Sequence, residues 1–349
     1  MLRHTFNSKN PIFGGFSECL DKYTDFDKLV CELEGLRKIG DMIVNSSANL
    51  SSYQAHPWTV LKLVFLKMYV RDVYTPIIGR RYPFMAFIDP FAGTGLNAYK
   101  NAEFYMPGSS LVAWSFATYP FNKIYAIGYR QDYIALKQRL ERFIPKEYQW
   151  VKKGDANEVI DNIIDDLLER KEEYKGVHYL AFIDPESTEV HWNTLEKLVS
   201  LEGQGVAGDF IILLQARLIA RTIGKIRKGQ TRENTTEKLE LFFGTEKWKK
   251  LLSLSSGEIE EGVKQFYINR LKKLKSKALI EIINIELMRR NIHYYLIYIT
   301  RKTKGGAPYL ETVRWLKQFV EKVDKKEVVG NAINKVLGIR LLPDYIKST

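Results

Sequence analysis

Four short apolar runs that each end in turn chemistry constrain this chain more than any other feature: MAFID before PFAGTG, KIYAIG before YRQD, HYLAFID before PES, and DFIILLQ before AR. Each is about the length of a buried strand. Helix-periodic sequence fills the intervals, at Ser110 to Phe116, Tyr133 to Phe143, Ala156 to Glu173 and Trp192 to Leu201. Strand–helix alternation of this kind predicts an α/β domain with a parallel sheet covered on both faces.

The flanks read differently. Within residues 1–54, Leu29, Val30, Leu33, Leu36 and Ile39 recur at helical spacing over Phe26 to Ile43, which predicts a helical N-terminal extension. His56-Pro57 then opens a long helix from Trp58 to Val73, the proline supplying the start. The remainder, residues 55–349, forms one large domain. Late in the chain, Ala278 to Leu287 and His293 to Thr300 read as two strands joined by the turn MRRNI, although the first is periodic enough to be a helix. Such a terminal hairpin would add an antiparallel edge to the sheet.

Hydrophobic residues make up 45% of the chain and charged residues 27%, the composition of an ordinary globular protein. No apolar run is long enough to span a bilayer and the first ten residues lack a signal-peptide core, so a cytoplasmic protein without membrane attachment is expected. Cys19 and Cys31 are too few for a disulfide framework and read as plain thiols; no metal-ligand spacing is seen. The formal net charge of +12 favours nucleic acid or another anionic partner.

The sharpest motif is Phe87-Ile88-Asp89-Pro90-Phe91-Ala92-Gly93-Thr94-Gly95, an apolar strand running into an acid and then G-x-G before a segment that can be helical. Glycines there let the backbone turn tightly and approach a ligand, while Asp89 can accept from a ligand amine. That favours a nucleoside-bearing cofactor, with a ligand-free structural turn as the plain alternative. Asn97-Ala98 would complete a dinucleotide fingerprint, but that reading needs an acid about 20 residues on at the end of the second strand. The second strand ends well beyond that distance, at Gly128, without one.

The form D-x-F-x-G-x-G resembles the first motif of class I S-adenosylmethionine-dependent methyltransferases, particularly the amino-methylating type that acts on nucleic acid. The resemblance implies that Asp89 lies near the methionine amino group and that Asp155, in Gly154-Asp155-Ala156-Asn157, accepts from the adenine amine. The other reading of Asp155 is a helix N-cap. A second-strand acid that binds the ribose is missing: Gly128-Tyr129-Arg130-Gln131-Asp132 stands there, and Asp132 substitutes only if the loop is displaced, its other reading again being an N-cap. Where that type carries D-P-P-aromatic, this chain has Asp184-Pro185-Glu186-Ser187. Asp184 and Glu186 retain the means to orient an acceptor or take its proton; otherwise Glu186 and Glu189 lie on a solvated first turn and His191 on the surface.

FIDPFAGTG, PGSSL, GDANE, AFIDPES with Trp192, LFFGTEKW and HYYLIYITRKTKGG together resemble the three-Cys-motif partner family over Trp58 to Lys317. This resemblance implies a class I methyltransferase-like Rossmann fold, with a mostly parallel seven-stranded sheet, an antiparallel terminal hairpin and helical additions. It also implies association with a separate partner that carries the three cysteines. By matching positions, Asp89, Phe91, Ala92, Gly93, Thr94 and Gly95 line a cofactor cleft for S-adenosylmethionine. Gly108 and Ser109 close it, Asp155 and Ala156 follow the third strand, and Asp184, Pro185 and Glu186 end the fourth.

Most of the positive excess falls between Arg217 and Lys277, a basic helical insertion before the terminal hairpin. Arg217, Arg221, Lys225, Arg227 and Lys228 follow the strand Phe210 to Leu214 and are the candidates for DNA or RNA phosphate contact. Phe242, Phe243, Trp248, Phe266 and Tyr267 are interleaved with the later lysines, spaced as helix core or, alternatively, as base-stacking rings. A methyltransferase acting on nucleic acid is one reading; the other is a catalytically degenerate Rossmann module that docks a partner or grips nucleic acid.

Overall fold

A computed structural model describes residues 24–339 except 48, 100–102, 232, 276–277, 287–293 and 303–307. Cys19, the MRRNI turn and TKGG lie outside the described residues. Helix α1 (Asp25–Ser46) is capped by Thr24, whose side chain accepts from the Asp27 amide. A short strand β1 (Tyr53–Gln54) precedes α2 (Pro57–Met68), which continues through a π-helical segment, Tyr69–Tyr74, into α3 (Thr75–Ile78). Then come β2 (Phe84–Asp89), the hairpin β3 (Leu96–Tyr99) and β4 (Phe104–Pro107), α4 (Ser109–Phe116), β5 (Lys123–Gly128) and α5 (Asp132–Phe143). Next are β6 (Gln149–Lys153), α6 (Ala156–Glu173), β7 (Val177–Ile183), α7 (Trp192–Ser200) and β8 (Val206–Leu214). Helices α8 (Ala216–Arg227), α9 (Thr235–Phe243) and α10 (Ile259–Leu274) lead to β9 (Ala278–Ile285), β10 (Tyr294–Arg301), α11 (Pro308–Val323) and α12 (Lys326–Val336).

Seven strands form the main sheet in the order β6-β5-β2-β7-β8-β10-β9. β2, β7 and β8 are buried along their whole length, as central strands covered on both faces must be. β10 pairs antiparallel with both β8 and β9, so it alone runs against the rest. The terminal hairpin expected from the sequence is thus present, an antiparallel pair at the edge of the sheet. β10 inserts beside β8, and the edge strand β9 is parallel to the others, because the chain crosses over between β8 and β9. That crossover is the basic segment.

Two apolar layers sandwich the sheet. On one side α1, α2, α4, α11 and α12 share a cluster that includes Leu33, Leu36, Phe65, Leu111, Leu316 and Ile333. α1 is built into this layer, its Glu32 carboxylate accepting a bidentate pair from Arg71 at 2.8 and 3.0 Å and pairing with the buried Lys67 ammonium at 2.7 Å. Cys31, on the same helix, is disulfide-bonded and so is not the free thiol expected. On the other side α6, α7, α8, α9 and α10 bury Ile160, Leu198, Ile219, Phe242, Phe243, Trp248 and Tyr267. Four of the five aromatics of the basic segment thus belong to the core, which leaves Phe242, Phe243, Trp248 and Tyr267 no face for a base, while Phe266 is half-buried.

The sequence-based strand and helix assignments hold with small shifts at their ends, with one exception. Gly95 leads into the hairpin β3–β4, not into a helix. Its strands bury alternate residues, Leu96 and Ala98 on one and Phe104 and Met106 on the other, which is strand periodicity. The helix opens only afterwards, at Ser109.

Candidate functional site at the carboxyl edge of the sheet

The central strand β2 ends at Asp89, whose carboxyl is fully buried. Its Oδ2 accepts from two hydroxyls of the first turn of α4, Ser109 Oγ at 2.6 Å and Ser110 Oγ at 2.7 Å. Oδ1 is buried with no hydrogen-bond partner among the described residues. Burial pushes the Asp89 carboxyl up to about 6, against the two serine hydroxyls, which hold it down. Ser110 escaped the sequence reading because only Ser109 stood at a motif position, yet both hydroxyls reach the acid.

The turn after β2 needs its glycines. Gly93 and Gly95 have φ of 55° and 77°, the left-handed region that favours glycine. Across the hairpin the Gly108 amide donates to the Gly95 carbonyl at 2.8 Å, and a Cβ on Gly108 would sit 2.8 Å from Gly95 Cα. The two backbones can approach this closely only because Gly108 carries no side chain. Thr94 is buried and donates to the Leu96 carbonyl, Ala92 is buried, and the half-buried Phe91 packs against the second core layer.

Arg139 of α5 holds the turn from behind. This buried guanidinium donates to the carbonyls of Thr94 and Ser51, both at 2.7 Å, to the Leu50 carbonyl at 3.2 Å and to Ser47 Oγ at 3.1 Å. Among the described residues it has no carboxylate partner, and burial lowers it to about 10. In sequence it reads as one more basic residue of an amphipathic helix; its role depends on four acceptors that only the fold assembles.

Asp184 stands at the end of β7 and forms an ion pair with Lys62 of α2, both side chains largely buried. Pro185 is buried and its carbonyl accepts from Gln215 at the end of β8. Glu186 is exposed; its amide donates to the Glu189 carboxylate at 2.8 Å, which ties off the loop. Tyr53 of β1 lies against this loop. Its phenol is pushed up to about 12 by partial burial, then by the neighbouring Glu186 and Asp184 carboxylates and a hydrogen bond to Glu186. Asp184, in turn, is close enough to disfavour ionisation of Asp89 while Lys62 favours it. The structure therefore brings Asp89, Asp184 and Glu186 to one edge, with Lys62 and Tyr53 as additions that no motif announces.

Asp155 caps α6: its Oδ1 accepts from the Asn157 amide at 2.8 Å and side chain at 2.9 Å, and Ala156 is the first, buried, helical residue. Asn157 continues inward, accepting from the His191 amide and Thr194 Oγ at 2.8 Å and donating to the Glu189 carbonyl at 2.9 Å. It thereby binds the third-strand loop to the fourth. Asp132 is not the N-cap of α5; Gln131 holds that position and Asp132 is the first helical residue. At the end of β5, where the methyltransferase resemblance would place a ribose-binding acid, the exposed Arg130 has φ of 47° and stacks over Tyr129.

Four of the five basic candidates lie on α8, whose Ala216, Ile219 and Ile223 face the core, and the fifth, Lys228, is its C-cap. Arg217 pairs with Glu260 at 3.1 Å, and Arg227 donates to the Leu254 carbonyl and Ser256 Oγ, both at 2.7 Å. Arg221 also has a bonding partner, whereas Lys225 and Lys228 extend into solvent. The helix-opening condition of the dinucleotide fingerprint fails outright, since Gly95 to Ala98 enter a strand. No described helix is long and apolar enough to cross a membrane.

No family profile matches the sequence, and no curated protein matches it. Among solved structures the chain is similar to protein LPL1258 of Legionella pneumophila, of family DUF519, with a TM-score of 0.45 and 11% identity over 75% of this chain and 91% of that one. It is similar to an O-methyltransferase from Bacillus cereus in complex with SAH, at TM-score 0.37 and 11% identity over 81% and 93% of the two chains. The O-methyltransferase TomG from Streptomyces achromogenes, in complex with SAM, gives 0.38 and 11% over 82% and 94%. The sheet itself carries the assignment: with its strand order, its single reversed strand β10 and a glycine turn at the end of the central strand, this chain has an α/β Rossmann-like methyltransferase fold.

Proposed function

We propose that this chain binds S-adenosylmethionine at the turn after β2 and transfers its methyl group to a nucleic acid, working with a three-Cys-motif partner. The observation that carries the proposal is the buried Asp89 carboxylate, one oxygen satisfied by Ser109 and Ser110 and the other left without a partner behind a left-handed glycine turn. An acceptor-only group in that state suits an amine donor. The edge also gathers the carboxylates of Asp184, Glu186 and Glu189, which favours a cationic ligand over a pyrophosphate.

When bound, the cofactor supplies a methyl group on a sulfonium, already a good leaving group, so alignment is most of what the protein must provide. Asp89 holds the amine; Phe91, Ala92, Gly93, Thr94 and Gly95 shape the turn, with Gly108 and Ser109 closing it. Asp155 and Ala156 border the base side. Lys62 holds Asp184 in place to orient the acceptor, buried Pro185 fixes the loop, and Glu186 takes the acceptor's proton beside the Tyr53 phenol.

A second reading rests on three observations of its own. Lys62 already engages Asp184, Arg130 stands where a ribose acid is wanted, and the Asp155 side chain is engaged as a helix cap. On that reading the fold serves partner docking and has no cofactor. Calorimetric titration with S-adenosylmethionine and S-adenosylhomocysteine, with NAD as control, separates the two. Micromolar binding of the first two, lost in Asp89→Ala and Gly95→Val, supports the methyl-donor cleft; no binding up to millimolar concentration leaves the docking module.

A further inference from the structure

The charges of the crossover segment sort into two classes. Lys249 is neutralised by Glu240 at 2.9 Å and Glu246 at 3.1 Å, Lys264 pairs with Glu261, and the buried Lys275 is held by Glu202 and the Gly208 carbonyl at 3.0 Å. Lys247, Lys250, Lys272 and Lys273 are exposed and have no carboxylate partner among the described residues. All four line one groove of about 1280 Å³ between the 3-10 helix Glu246–Ser253 and α10. Its one carboxylate, Glu246, is the one engaged by Lys249.

Both walls are anchored in the core, one through Trp248 and Leu251 and the other through Val263 and Tyr267, so the lysines are presented from a rigid frame. Between them lies Phe266, half-buried, with the Lys250 ammonium 5.0 Å from its ring centre. The amides of Gln265 and Asn269 stand on the same surface. Arg270 and Lys273 also line a second recess, of about 280 Å³, that reaches Trp192 and Glu196 of α7. That helix begins where the loop carrying Asp184 and Glu186 ends.

We infer that this groove binds a single nucleic-acid strand, the four lysines tracking phosphates along both walls while Phe266 offers a flat face to a base. Unpaired cations on both sides of an aromatic floor, with amides beside it, match a strand whose charges run along its edges and whose rings lie between. An acidic peptide would answer the charge and leave the aromatic floor unused. The inference extends the methyl-transfer reading by giving the acceptor strand a place to lie beside the fourth-strand loop. Its test contains no methyl donor, so failure here and failure of the cofactor reading are separate results.

The experiment is fluorescence anisotropy of the full chain with a labelled oligouridine of about twenty nucleotides, titrated at several salt concentrations, with polyglutamate as competitor. Contact with three or four phosphates predicts a slope of log affinity against log salt of about −2 to −3 for a single strand. Lys250→Glu with Lys273→Glu should weaken binding at least ten-fold. The same charge change made at Lys38 and Lys326, exposed on α1 and α12, should alter it less than two-fold. Thermal unfolding confirms that each variant is folded, as surface positions lead one to expect. Equal weakening by both pairs, wild-type binding by the groove pair, or displacement of the oligonucleotide by polyglutamate at equal charge overturns the inference.

Discussion

Lys62 of α2 and Asp184 at the end of β7 form an ion pair between residues 122 positions apart, with side chains 12% and 14% exposed. The pair joins the helix that precedes the sheet to the loop that carries the proposed acceptor site. A carboxylate this enclosed needs its cation. Lys62→Met should cost about 1–3 kcal/mol, less than the roughly 3–5 kcal/mol of a fully buried pair because water still reaches both groups. Urea unfolding of Lys62→Met, Asp184→Leu and the double variant checks this, and the double variant should recover much of the loss.

Gly108→Ala tests the close approach of the two hairpin backbones. The new methyl would meet Gly95 Cα at 2.8 Å and its carbonyl oxygen at 3.1 Å, and backbone cannot swing aside as a side chain can. A loss of about 1–3 kcal/mol is expected from such overpacking. Gly224→Ala, on a helix with open space at that position, should be neutral or stabilising in the same denaturation assay.

Arg139→Leu removes the donor to four acceptors behind the glycine turn. The buried Thr94 carbonyl loses its partner, and the segment from Ser47 to Ser51 loses its tie to α5. Destabilisation of about 2–4 kcal/mol should follow. Hydrogen exchange should quicken locally, at the Gly95 and Leu96 amides, before it does in β7. Lysine at 139 should restore little, since one ammonium cannot span acceptors arranged for a fork. Uniform exchange throughout the chain in Arg139→Leu would count against a specific role in the turn.

His178 of β7 is buried and its Nδ1 bonds the Tyr74 phenol at 2.9 Å. Burial is the chief cause that lowers its ring to about 4, from the usual 6.5. A depressed histidine contributes stability that is present above pH 6.5 and is lost as pH falls towards 4, about 3 kcal/mol for a shift of this size. Asp89 works the other way. Its raised carboxyl contributes stability that is complete below its usual 3.8 and is lost as pH rises through about 6. The two nearly cancel between pH 4 and 6. Replacing His178 by phenylalanine should therefore leave a chain that gains stability on acidification from pH 6.5 to 4, and Asp89→Asn one that loses more than the wild type. Unfolding midpoints across that range decide it.

Much of the fold was legible because its signals are local. A buried parallel strand must be apolar throughout, so FMAFID and VHYLAFI declare themselves, and α6 announces its start with Asp155 and its face with Ile160, Ile163 and Leu167. The hairpin after Gly95 was missed because four-residue strands carry too few alternations to outweigh the expectation that a glycine turn opens a helix. The terminal hairpin was legible too, but the order of its two strands in the sheet was not. Adjacent strands joined by a short turn look like a hairpin at the sheet edge, and nothing in their residues says that β10 will insert beside β8.

Which segments are strands and helices, where the glycine turn lies and which acid ends the central strand could all be read along the chain, because each of these is set by residues a few positions apart. What those residues meet was set by the packing of distant segments: that Asp89 keeps one oxygen without a partner among the described residues, that Lys62 rather than a solvent ion faces Asp184, that Arg139 braces the turn, and that all three arginines of α8 are engaged while four later lysines have no carboxylate partner among the described residues. Whether a charged group is paired depends on which distant segment the fold sets within about 4 Å of it. Spacing along the chain does not encode that distance, and packing around the sheet does.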